Sequence, residues 1–255
     1  MAHTIRSLKS GNGWTNSELV GFNIQIHDAD TVTFFNTPDL PSRSNVSSTI
    51  LNNVEVPQGP LTKNDRLFFH YLRDAVRGEE SMIDDFVAFI LGMLEYDEPD
   101  RIIRRRKDLS FVMCGQTVNA QTDVCVTTST DILLLVQGDK KGYDPEPQLI
   151  AEAIAAFYQN NRGRALSGRP PLASKVFPGI TMIGAVPIFY RIPTTAELVR
   201  CIETATYPPQ ATIVQRFVPL VPNLALYMVD GLVPLENRRI VMQCFEAFKV
   251  FVTEE

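Results

Sequence analysis

Cysteine is scarce in this sequence, and none of it comes in close pairs. Cys114, Cys125, Cys201 and Cys244 are scattered over 255 residues without a CxxC spacing, which argues against a disulfide framework or a zinc site and for buried thiols. The three histidines, His3, His27 and His70, show no ligand spacing. No apolar run approaches the ~20 residues that cross a bilayer, and the opening stretch MAHTIRSLKSGNGW is polar, unlike a secretory leader. No glycine-rich phosphate loop precedes a helix, which argues against nucleotide-hydrolase and dinucleotide folds. ALSGRP lacks the GxSxG frame of a nucleophile elbow. Positive charge is not in excess either: 24 Lys and Arg stand against 29 Asp and Glu, a net charge of -5. Any nucleic-acid surface must then be a local patch on an acidic body. The expectation is an intracellular protein, cytoplasmic or nuclear, with no membrane partner.

What is present suits a globular core, since 45% of residues are hydrophobic and 21% charged. Residues 1–60 read as an N-terminal arm, with a short strand through Phe22, Ile24 and Ile26 and a surface loop at NTPDLPSRSNVSS. Residues 61–255 read as a single α/β domain. Its first segment, from LTKND to LEYDE, holds two helices broken near Gly78. The second is apolar almost all round, apart from Asp84 and Asp85, and such a helix is mostly buried. Strands are predicted at residues 110–114, 123–128 and 132–137, the last two forming a hairpin through TTSTD. A helix opens after YDPEPQ. Two strands follow in TMIGAVPIFYRIP, bent or broken at Pro187, then a helix at 196–204 and a strand at 212–217. The C-terminal helix carries Val241, Cys244, Phe245, Phe248 and Val252 on one face. This order makes a mixed sheet flanked by helices.

The stretch TDVCVTTSTDILLLVQGDKKG, residues 122–142, concentrates the chemistry. An apolar strand runs into Gln137, Gly138, Asp139, Lys140 and Lys141, and Asp123 sits on the strand before it. Strand side chains alternate between faces, so 138 and 140 share one face and 137, 139 and 141 the other. Cleaving a phosphodiester with Mg²⁺ takes carboxylates, because the ion is hard and prefers oxygen ligands. It also takes a cation near the attacking water or the developing charge, a task suited to Lys. An acid on one strand of a hairpin and acid-x-Lys on its partner supply both. On the following helix Gln148, Glu152, Ala155 and Gln159 form one stripe, which either orients a water or metal ligand or faces solvent.

With these residues in order, the segment 79–189 resembles the PD-(D/E)XK nuclease superfamily. The resemblance implies a restriction-endonuclease-like fold, a helix, a three-stranded meander, a helix and a further strand, with an added N-terminal arm and C-terminal helix. It implies Mg²⁺-dependent cleavage of nucleic acid. Asp123 falls where the superfamily binds metal, Lys140 where it has its catalytic Lys, and Glu79 or Glu80 where many members carry a helical acid. Gln148 matches a Gln on the helix after the hairpin. The whole chain, on NGWTNSELVGFNI and PLENRRIVMQCFEAFKVFV, also resembles a group of uncharacterised fungal proteins.

Gly138 departs from the pattern, for the superfamily has an acid two residues before the Lys. Three explanations are open. The register is Asp139-x-Lys141 on the opposite face; or Asp139 swings in as the second metal ligand, the glycine loosening the strand end; or the site has lost its metal. The last makes the chain a catalytically inactive module that binds protein or nucleic acid. The basic run Arg101, Arg104, Arg105, Arg106 and Lys107 tracks phosphates or is a solvated loop balanced by the acids of EYDEPD. Arg162, Arg164 and Arg169 form a second basic loop.

Overall fold

The computed structural model describes residues 7–41, 45–139 and 144–253. Its first elements are α1 (Asn16–Gly21), β1 (Ile24–Asp28), α2 (Thr31–Phe35), α3 (Ser48–Asn52), α4 (Lys63–Arg77) and α5 (Glu80–Met93). The central part follows as β2 (Ile102–Met113), β3 (Gln116–Thr127), β4 (Ile132–Asp139) and α6 (Glu146–Leu166). The chain ends with β5 (Ser174–Ile183), β6 (Val186–Thr195), α7 (Ala196–Glu203), β7 (Thr212–Phe217), α8 (Leu224–Asp230) and α9 (Leu235–Phe248).

The described strands form one seven-stranded sheet in the order β1-β7-β6-β5-β4-β3-β2. It is mixed: β2–β3, β3–β4, β5–β6 and β6–β7 are antiparallel, while β4–β5 and β1–β7 are parallel. Helices cover both faces. On one, Phe68 of α4, Phe86 of α5 and Phe245 of α9 pack with Val124, Leu134 and Val136. On the other, Ile150, Ile154 and Phe157 of α6 and Leu198 of α7 pack with Cys125, Leu135 and Phe177. Residues 132–136 are buried on both faces, as the uninterrupted apolar run requires.

Local sequence explains the ends of the elements near the site. Thr62 and Asp65 make a reciprocal capping box that starts α4, and Gly78, at φ +81°, stops it in a left-handed turn. The next helix, α5, starts at once and packs against α4 and the sheet, burying Ile83, Phe86, Val87, Ile90 and Leu91 while Asp85 turns to the surface.

Three sequence expectations change. The basic run expected as a loop is the first half of β2, and β2 and β3 each span twelve residues. β2 is one of the two outer strands of the sheet, and an outer strand takes charged side chains without loss of pairing. The break in TMIGAVPIFYRIP falls at Gly184 (φ +61°) and Ala185, and Pro187 lies inside β6 opposite Met182. Residues read as an arm supply β1 to the sheet and place Trp14, Phe22, Phe34, Phe35 and Ile50 in the cores of the two faces. No helix among the described residues is long and apolar enough to cross a membrane.

Candidate active site

Strands β2 and β3 share an irregularity that aims Asp123. Toward their far ends Leu109, Phe111 and Met113 of β2 and Val118 and Ala120 of β3 pack in the α6 layer. Nearer the other end, Val124 and Val126 of β3 and Ile103 of β2 pack in the α5 layer instead. A regular strand keeps alternate residues on one face, so both strands reverse their facing between these points. The ladder passes from Arg105↔Val124 to Lys107↔Thr122 and leaves Arg106 and Asp123 unpaired between them. Arg106 there has φ +50°. Such matched bulges re-aim side chains, and this one turns Asp123 toward the end of β4.

Asp123 Oδ2 accepts from the Gly138 backbone N–H at 2.9 Å and from Gln137 Nε2 at 2.6 Å. Gln148 of α6 donates in turn to Gln137 Oε1 at 3.0 Å and lies 3.4 Å from Glu152 Oε1. The helix stripe therefore faces the hairpin and not solvent, with Glu152 and Ala155 fully buried. An amide thus links α6 to Asp123 through the strand between them.

Gly138 makes room for a carboxylate it does not carry. A Cβ at this position would lie 2.6 Å from Asp84 Oδ1, 3.3 Å from Ile83 Cγ2 and 3.7 Å from Asp123 Oδ2. The space that a side chain at 138 would fill is occupied by Asp84, arriving from α5. Asp84 is 4% exposed and Asp123 8%, and Asp84 Oδ1 has no hydrogen-bond partner among the described residues. Burial, then the charge of Glu80, pushes the Asp84 carboxyl up to about 6, with Arg106 pulling the other way. Burial, then the charge of Asp84, pushes Asp123 up to about 7, against the hydrogen bond from Gly138. Glu152 is held well above the ordinary carboxyl range by burial and by Asp123. Two of these acids converge on one point with no cation in contact among the described residues, an arrangement that favours protons or a metal.

Not every expected residue joins them. Glu80 is the first residue of α5, exposed, one helical turn from Asp84, and acts on the pair by charge alone. Asp139 pairs with Ile183 at the end of β4 and adds its charge near Asp123. Lys140 and Lys141 lie outside the described residues. Asp84 and Gln137 were not singled out from sequence. The signal for Asp84 was there, in two acids on a largely apolar helix, but not which of them turns inward. Asp85 goes outward to Arg105 at 2.5 Å and is 45% exposed.

No group of three or more His, Cys, Asp or Glu side chains forms a closed metal cage among the described residues. Mg²⁺ does not demand one, for it keeps several waters and is held through one or two carboxylates plus substrate phosphate. The paired acids and the partnerless Asp84 oxygen fit that requirement. No protein-family model matches this chain, and no curated protein matches it.

Proposed function

We propose that the protein is a Mg²⁺-dependent phosphodiesterase acting on nucleic acid, with Asp123 and Asp84 as the carboxylates that hold the ion. The observation that carries this reading is the buried, partnerless Asp84 oxygen set against Asp123 in the space vacated at Gly138. Mg²⁺ held there would polarise a phosphoryl oxygen and lower the pKa of a bound water. The chain's own residues then have distinct tasks. The Gly138 N–H and Gln137 fix the orientation of Asp123, and Gln148 holds the Gln137 amide in place. Burial and the charge of Asp123 disfavour a negative charge on Glu152, behind Gln148. Lys140 is the residue that the nuclease resemblance assigns to the attacking water.

A second reading, an inactive module binding protein or nucleic acid, is favoured by one observation. Asp123 Oδ2 already accepts two hydrogen bonds from the chain, which compete with a metal. Calorimetric titration with Mg²⁺ and Mn²⁺ separates the two readings. Under the enzyme reading the protein binds the ions, Asp123→Ala and Asp84→Asn each abolish the heat, and both lose cleavage of DNA and RNA substrates. Absence of binding in the unmodified protein would leave the inactive module.

A further inference from the structure

Three consecutive arginines, Arg104, Arg105 and Arg106, stand exposed on an outer strand of the sheet. Two are tethered: Arg105 to Asp85 at 2.5 Å, and Arg104 through Nε to Thr127 Oγ1 at 3.3 Å. The Arg106 side chain makes no hydrogen bond or ion pair among the described residues. Its backbone holds φ +50°, a conformation uncommon for a long side chain. It occupies the gap in the β2–β3 ladder directly opposite Asp123, and its charge is felt at Asp84. One guanidinium, untethered among the described residues, therefore lies opposite Asp123 in the ladder and within electrostatic reach of Asp84, at an edge that no further described strand covers.

A guanidinium is planar, permanently charged, and matches two oxygens of a phosphate at once. The tethered arginines before it in the strand add positive charge along the same open edge, where a polymer can lie but a closed small-molecule pocket would be cut off. We propose that Arg106 is the residue that grips a substrate phosphodiester at this site, taking two of its non-bridging oxygens as the nucleic-acid backbone passes the sheet edge. The proposal rests on the phosphodiesterase reading for its substrate class, but its test does not depend on metal.

The test is fluorescence anisotropy with short labelled DNA and RNA strands, in EDTA so that nothing is cut, at stepped salt concentrations. The proteins are the unmodified chain and its Arg106→Gln, Arg106→Gly and Arg106→Lys variants. Loss of one phosphate contact weakens binding of every sequence alike and lowers the salt-dependence slope by about 1; a roughly tenfold loss at low salt is expected for the Gln and Gly variants. The Lys variant keeps the slope and loses part of the affinity. Glycine adopts the left-handed turn without steric cost, so Arg106→Gly removes the charge while preserving the bulge, and an unchanged melting temperature certifies its fold. Unmodified affinity in the Gln or Gly variant overturns the proposal, as does failure of the unmodified chain to bind either strand. Metal titrations of the Asp84 and Asp123 variants test the phosphodiesterase reading separately.

Discussion

At the scale of single residues, Gly138 and Asp84 behave as one unit, because the carboxylate of one fills the space denied to the other. Gly138→Asp is therefore not a simple restoration of an acid. With Asp84 in place it puts a Cβ 2.6 Å from a carboxylate oxygen, and overpacking of this kind costs about 1–3 kcal/mol. Adding Asp84→Ala should return most of that stability, a coupling of about 1 kcal/mol or more in a double-mutant cycle measured by urea unfolding. Simple additivity would show that the two positions do not share space. The same acids give stability a definite pH dependence. Their folded pKa values, about 6 for Asp84 and about 7 for Asp123, lie above the ordinary carboxyl value. The folded state thus binds more protons, and this contribution is full below about pH 4 and lost as pH rises through 6 and 7. The metal-free protein should melt roughly 5 °C lower at pH 8 than at pH 5. Asp123→Asn should flatten that slope, and a flat profile in the unmodified chain would contradict the raised pKa values. Asp123 was legible as a candidate because it interrupts an apolar strand, and Gln148 because it heads a polar stripe on the following helix and matches the resemblance. Asp84 was not, because adjacent helical residues point ~100° apart and only packing decides which is inside.

At the scale of elements, two devices set the site. One is the matched bulge of β2 and β3, which turns Asp123 out of the regular alternation. It is invisible in sequence, since Arg106 and Asp123 lie on different strands and neither neighbourhood contains a glycine that would mark a bulge. The other holds the layer that carries α5. Arg238 of α9 is fully buried, with no acidic partner among the described residues. It donates to the carbonyls of Ile50 (2.8 Å), Asn53 (2.6 Å), Leu232 (3.0 Å) and Val233 (3.0 Å), and lies over the rings of Phe68 and Phe69. One side chain thereby ties the ends of α3 and α9 to α4, which packs beside α5. Arg238→Ala should cost about 3 kcal/mol or more, because those carbonyls are left unpaired. Arg238→Lys should recover little of it, since an ammonium cannot reach carbonyls on several sides of a planar fork. Chemical unfolding of the two variants measures this, and a lysine variant of normal stability would contradict it.

At the scale of the whole molecule, the described residues before residue 61 belong to the body that carries the site. They provide the outermost strand β1 and aromatic side chains to the cores on both faces of the sheet. A chain beginning at residue 61 would uncover the edge of β7 and leave a cavity on each face. It should aggregate or lack near-ultraviolet circular dichroism, whereas a soluble, well-packed fragment would make those residues a true arm. The α/β class, the buried helix α5 and the hairpin of β3 and β4 were all determined by the sequence itself. Each follows from spacing within a few turns or strands of the chain, where local geometry fixes which residues share a face. The tertiary structure decided the rest: that the basic run is an outer strand, that the segment before residue 61 supplies the strand Ile24–Asp28 to the sheet, that the β2–β3 irregularity aims Asp123, and that Asp84 and not a side chain at 138 meets it. Those outcomes depend on which surfaces come together across long stretches of chain, and periodicity carries no record of the partner.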